Sequence, residues 1–204
     1  MVKRRVGRIA LVVTGCFVAV VLVEISLRVF GITYPYFYIP DNLTGYSHKP
    51  GAEGLWRKEG ESFITINSAG LRDREHSLEK SPGTFRIAIL GDSYMEALQL
   101  PIKQTFWARI EQELSGCPSL DARQIEVVNF GVSGYSTVQE LLVLRHKVPP
   151  YTPDLVLLAL FTGNDIRDNS RELNRDDIRP YFVMEDGRLV LDDSFRHSTE
   201  FRLQ

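Results

Sequence analysis

Ser93 stands in a Gly-Asp-Ser turn directly after an apolar run, in the stretch FRIAILGDSYMEA. A serine hydroxyl becomes a useful nucleophile when a base takes its proton and preplaced donors await the oxyanion formed on attack at an acyl carbon. Two further segments have the composition for such a site: NFGVSGYS at 129–136 and TGNDIRDN at 162–169. Backbones rich in Gly, Asn, Asp and Ser turn sharply and present their N–H groups. Together the three segments could perform acyl transfer. Ser93 would attack, and its own N–H, the N–H of Gly134 and the side-chain amide of Asn164 would hold the oxyanion. Each signal alone is weak, because a Gly-Asp-Ser turn arises by chance and an Asn-Asp pair often caps a helix.

The elements that would position these segments alternate in type. Arg86–Leu90 reads as a short strand, almost wholly apolar. KQTFWARIEQELSG spaces Phe106, Trp107, Ile110 and Leu114 as a helix does, with Gly116 as its stop. IEVVNFG is a second strand. STVQELLVLRHKV is a second helix, with Ser136 as N-cap and Pro149-Pro150 ending it. DLVLLALF is a third strand, fully apolar. Strand–helix repeats with apolar strands predict a parallel sheet covered by helices on both faces. Ligands of such a sheet bind outside the carboxyl ends of its strands, and all three loops fall there.

AILGDSYMEA, VVNFGVSGYST and LLALFTGNDIRDN resemble blocks one, two and three of the SGNH/GDSL hydrolase family. The resemblance covers residues 86–169, and INSAGLRD is similar to a lead-in found among extracytoplasmic members. It implies a three-layer, flavodoxin-like α/β fold, Ser93 as nucleophile, and Gly134 and Asn164 as oxyanion donors. Thr162 departs from the family's usual glycine two residues before the asparagine. The GxSxG elbow of the larger α/β-hydrolases is absent.

The family's catalytic His and Asp lie in a fourth block, Asp-x-x-His, near the carboxyl end. Of the four histidines, His48 and His76 precede the region of resemblance, and His146 falls in the second predicted helix as a solvated side chain. His197 follows Asp192-Asp193, but DSFRH is one residue too long for the block, and it reads as an exposed tail histidine. Beyond Asp165 the chain turns polar, apart from YFVMEDGRLVL, where Asp186-Gly187 between apolar runs predicts a hairpin. Three strands and two helices leave a sheet edge uncovered. The expectation is therefore the amino-terminal part of a longer hydrolase, C-terminally incomplete, acting poorly as it stands for want of its His/Asp base.

Ahead of the domain, IALVVTGCFVAVVLV at 9–23 carries no charge and follows Lys3-Arg4-Arg5 and Arg8. Its uncharged core is short for a bilayer span of about 17–25 residues, but Arg8 can snorkel and Glu24 would sit near the far interface. A retained transmembrane anchor is the expectation. It places the amino terminus in the cytoplasm and the soluble part outside, periplasmic or extracellular, by the positive-inside rule. VTGC ending at Cys16 resembles a lipoprotein box, but the apolar run continues well past it, unlike a cleaved signal. The expected divisions are a cytoplasmic stub and anchor at 1–32, a Tyr/Pro/Gly-rich linker with a short strand at 33–81, and a partial hydrolase domain at 82–204.

The net charge of −2 gives no reason to propose nucleic acid as a partner. Cys117 is the only cysteine outside the apolar segment, so no intrachain disulfide is expected, and no zinc-type spacing occurs. Serine, base and oxyanion donors need neither metal nor organic cofactor. The leading reading is a membrane-anchored extracytoplasmic acyl-ester hydrolase or O-acyltransferase, with the lipid bilayer and an acyl ester or acylated carbohydrate as partners. A non-catalytic carbohydrate- or partner-binding module on the same fold and a non-functional gene fragment stay open beside it.

Overall fold

The computed structural model describes residues 2–30, 35–117 and 124–203. It divides into two compact units, Met1–Pro35 and Tyr36–Gln204.

The first unit is a helix, α1 (Val2–Val29). Its stretch Arg5–Val29 is long and apolar enough to cross a membrane, and none of its most apolar window is buried against protein. Leu11, Phe17 and Val20, spread around the helix, are each at least two-thirds exposed. A helix apolar on every side has no solvated face and suits lipid better than water. Near its end Glu24 accepts from Arg28 Nε at 2.8 Å, one turn on. The expected boundary at residue 32 lies outside the described residues.

The second unit is built around a three-stranded parallel sheet of β5 (Thr84–Gly91), β6 (Gln124–Asn129) and β7 (Leu155–Ala159), in the order β6–β5–β7. Strand periodicity sends alternate residues to opposite faces. Ile87, Ile89, Ile125 and Val127 pack with Trp107 and with the partly buried Ile110 and Leu114, all three on α3 (Phe106–Ser115). Ala88, Leu90 and Val128 pack with Val143 of α4 (Thr137–His146) and with Val148 and Tyr151 beyond it. The sheet thus has a helix on each face, as the alternation predicts. Thr105 caps α3, Gly116 ends it, and Ser136 occupies the N-cap of α4. His146 and His197 are both exposed.

β7 departs from expectation. Its apolar run predicts burial, yet Leu155, Val156 and Leu158 are 41%, 37% and 53% exposed. Among the described residues it pairs only with β5, and the predicted hairpin, β8 (Tyr181–Glu185) and β9 (Arg188–Asp192), forms its own two-stranded sheet instead of extending the central one. Apolar composition marks a strand made to be covered; a neighbour must still be there to cover it.

The segment expected as a linker with a short strand, 33–81, is described from residue 35. From Tyr36 to Ser81 the chain belongs to the same compact unit as the sheet. Two hairpins occupy it: β1 (Tyr38–Asp41) with β2 (Gly45–His48), and β3 (Glu53–Trp56) with β4 (Ser62–Thr65). The first turns where Asp41 Oδ1 accepts from the nitrogens of Leu43 and Thr44 at 2.8 and 2.9 Å, an Asx-type turn. Phe37, Ile64, Ile66 and Leu98 form a small core of their own. Further on, Arg86 of β5 is 1% exposed and donates to Glu126 at 2.6 Å and to the carbonyls of Ser77, Leu78 and Tyr151. His76 lies between Glu126 (2.7 Å) and Asp73 (3.0 Å). His48 and His76 are therefore interior groups of the unit.

Candidate functional site

β5 ends in Gly91, and Asp92 caps the single-turn helix α2 (Ser93–Glu96), accepting from the Tyr94 nitrogen through Oδ1 at 3.0 Å. Asp92 is buried while Ser93, the first helical residue, is exposed. The turn is clamped from below. Asn129 Nδ2 and Trp107 Nε1 both donate to the Met95 carbonyl at 3.0 Å. Gly131 is required for the fit, because a Cβ there would lie 2.4 Å from Met95 Cβ and 2.9 Å from the Glu96 nitrogen.

The loop after β6 runs beside this turn, with the Val132 nitrogen donating to the Gly91 carbonyl at 3.1 Å. Tyr46 of β2 donates its hydroxyl to the Ser133 carbonyl at 2.9 Å. Gly134 has φ +75°, and a Cβ there would come 2.7 Å from Tyr46 Oη, so both conformation and space select glycine. Its carbonyl accepts from Arg179 Nη1 at 3.2 Å. From the loop after β7, Asn164 Nδ2 donates to Asp92 Oδ2 at 3.3 Å. That loop leads into α5 (Asp165–Asp168) and is stapled to the start of α4, where Asn169 accepts from the Val138 nitrogen at 3.2 Å and donates to Thr137 Oγ1.

Ser93 opens onto a cleft of about 410 Å³ whose lining includes Trp56, Lys58, Tyr94, Glu96, Ser133 and Phe161. The three loops thus meet at the carboxyl end of the sheet. Ser93 lines the cleft, Gly134 follows the lining residue Ser133, and Asn164 reaches the residue preceding the serine. Gly134 and Asn164 do not themselves line the cleft. Asn164 puts its amide on Asp92 and leaves Oδ1 buried without a partner.

Among the described residues no histidine lines the cleft. A carboxylate that does so on the same helical turn as Ser93 is Glu96, at its other end. It is bonded to His48 at 2.5 Å and to the Tyr38 hydroxyl at 2.7 Å. Burial, with the Glu96 charge beside it, raises Tyr38 well above the ordinary phenol range and keeps it a donor. Sequence reading did not single out Glu96, for which the Ser-x-x-Glu spacing is the one available signal; the hairpin residues Trp56, Lys58, Tyr38 and His48 carried no local signal of a site.

Glu140 of α4 is 1% exposed, and neither carboxyl oxygen has a partner. Burial, then the charges of Asp165 and Asp92, pushes it up to about 8. Among the described residues no three His, Cys, Asp or Glu side chains gather as metal ligands would.

Comparison with protein-family models and with curated proteins finds no match to this chain.

Proposed function

We propose that the chain is a membrane-anchored serine acyl-ester hydrolase or O-acyltransferase of the SGNH/GDSL type, with its sheet the core of a three-layer flavodoxin-like fold. The observation that carries this reading is Ser93: an exposed hydroxyl on the first residue of a clamped one-turn helix, at the end of the central strand, opening onto a cleft. The N–H of a helix's first residue has no intrahelical acceptor, so the Ser93 nitrogen is free to face an oxyanion. The Gly134 N–H and the second amide hydrogen of Asn164 complete the donor set. Attack by Ser93 Oγ forms an acyl-enzyme, and water or a sugar hydroxyl takes the acyl group in the second half-reaction.

Trp56, Tyr94 and Phe161 bring aromatic surface to the cleft, and Tyr94 packs on Phe161 at 4.8 Å between centroids. Rigid, amphipathic rings of this kind suit the apolar faces of sugar rings, which supports an acylated carbohydrate as substrate. α1 would hold the domain to the bilayer, with the basic residues Lys3, Arg4, Arg5 and Arg8 on the cytoplasmic side and the domain outside. The aromatic lining suits equally a second reading, a carbohydrate-binding module that keeps the fold without turnover.

Hydrolysis of p-nitrophenyl acetate by the full chain in detergent decides between them. Turnover that falls to the buffer rate in Ser93→Ala supports the enzyme; no turnover, with retention of acetylated polysaccharide by both proteins, supports the binding module.

A further inference from the structure

An oxyanion donor at Gly134 must present its N–H in one direction, and its own backbone does not enforce that direction. Turning the peptide between Ser133 and Gly134 over changes only ψ of the serine and φ of the glycine. Gly134 has φ +75°, and glycine takes either sign of φ at little cost. Among the described residues no backbone carbonyl accepts from the Gly134 nitrogen. A donor carried on such a peptide needs a lock from outside the loop.

Tyr46 of β2 supplies it. Its hydroxyl donates to the Ser133 carbonyl at 2.9 Å. A peptide is planar and trans, so its C=O and N–H point in opposite directions. Fixing the Ser133 oxygen on Tyr46 therefore fixes the Gly134 hydrogen on the side away from it. Donation to the carbonyl also polarises the amide and strengthens its N–H as a donor. Burial raises the Tyr46 hydroxyl above the ordinary phenol range, against the lowering pull of Arg179, so it keeps the proton it donates.

Tyr46 is itself seated. Its carbonyl accepts from the Tyr135 hydroxyl at 2.7 Å and from Thr44 Oγ1 at 2.8 Å, and its ring packs edge-on with those of Tyr38 and Tyr135. The peptide that follows Gly134 is held as well. Arg179, only 7% exposed, donates from Nη1 to the Gly134 carbonyl at 3.2 Å and from Nε to Asp176 at 2.9 Å.

We propose that Tyr46 is the positioning residue of the oxyanion hole: through the Ser133 carbonyl it holds the Gly134 N–H in its donating orientation, with Arg179 bracing the next peptide. This rests on Ser93 being the nucleophile and Gly134 an oxyanion donor. A segment whose composition reads as a linker thereby sets the geometry of the reaction from 87 positions away.

The test compares Tyr46→Phe with wild type on p-nitrophenyl acetate and on its thionoester, in which sulfur replaces the carbonyl oxygen. It uses the full chain in detergent, with circular dichroism to report folding. Tyr46→Phe keeps the ring and removes the hydroxyl. Sulfur is a weak hydrogen-bond acceptor, so a displaced donor costs the thionoester little. The expected result is a fall in kcat/KM of at least about tenfold on the oxygen ester, against a change within about threefold on the thionoester. A folded Tyr46→Phe that loses equally on both esters, as a merely structural role requires, or loses on neither, overturns the assignment while leaving Ser93 as nucleophile. Should Tyr46→Phe fail to fold, Arg179→Lys is measured on the same pair, and an equal or absent loss there overturns it. A wild-type chain without turnover that Ser93→Ala abolishes removes the nucleophile and its oxyanion donor together.

Discussion

Asn164 donates from Nδ2 to Asp92 Oδ2 at 3.3 Å, tying the loop after β7 to the residue that precedes Ser93. The bond joins the third loop to the first, so the geometry around the serine depends on a side chain 72 positions further along the chain.

Asn164→Ala removes that tie and leaves Asp92, buried to 1% exposure, with one acceptor oxygen unmatched. The expected loss is about 1–3 kcal/mol, the cost of an unsatisfied buried polar group. Asn164→Asp sets a second carboxylate against Asp92 and is expected to lose more at neutral pH than at pH 4. Urea melts at both pH values check the order.

Gly131→Ala is expected to displace α2, because the new Cβ would meet backbone atoms of Met95 and Glu96 at 2.9 Å as well as Met95 Cβ. Backbone cannot rotate aside as a side chain can, so a destabilisation of about 1–3 kcal/mol follows. Fluorophosphonate labelling of Ser93 should fall in step. A variant with wild-type melting and labelling would show that the loop after β6 does not brace the nucleophile.

Glu140 makes stability fall as pH rises. Its folded-state value of about 8 lies above the ordinary glutamate value of 4.5. Between those two limits the native state holds a proton that the unfolded chain has released, and stability then falls with rising pH by up to about 1.4 kcal/mol per unit. Glu140→Gln cannot ionise. Its melting temperature should gain on wild type steadily from pH 5 to pH 8, whatever constant offset the amide introduces. Parallel curves would contradict the burial of an ionisable carboxyl here.

His76 acts in the same direction through attraction. Burial opposes its charge, but Asp73 and Glu126 outweigh that and raise its pKa above 6.5. Its contribution is fully present below about pH 6.5, the unfolded value, and is lost as pH rises through the folded value. Glu126 is the mirror case. Burial works against its charge, yet His76 and Arg86 lower it, so its contribution holds above 4.5 and disappears as pH falls through the depressed value. His76→Gln should flatten the stability profile on the alkaline side, as guanidinium melts from pH 6 to 9 would reveal.

Much of the central sheet was legible because its signals are local. FRIAIL, EVVN and LVLLA read as strands from consecutive residues, α3 from the spacing of Phe106, Ile110 and Leu114, and the β8–β9 turn from Asp186-Gly187. The hairpins before the sheet were not legible, because distant bonds hold them. Gln139 Nε2 donates to the Thr44 carbonyl at 2.7 Å across 95 positions, and Tyr46 reaches Ser133 across 87. No local pattern records such partners, so a stretch rich in Tyr, Pro and Gly reads as a linker. The same limit hid the burial of His48 against Glu96. β7 illustrates the opposite case: five apolar residues identify a strand but say nothing of how many neighbours it has. Ser93, the Gly134 loop and the Asn164 loop were readable because each follows its strand at once, and parallel topology brings strand ends together.

Mapping the adduct formed when the full chain is treated with a fluorophosphonate tests the central claim most directly. Peptide mass spectrometry should place a single phosphonyl group on Ser93, and Ser93→Ala should take up none. A chain that stays unmodified, or a Ser93→Ala variant labelled as fully as wild type, would contradict the assignment of Ser93 as the nucleophile.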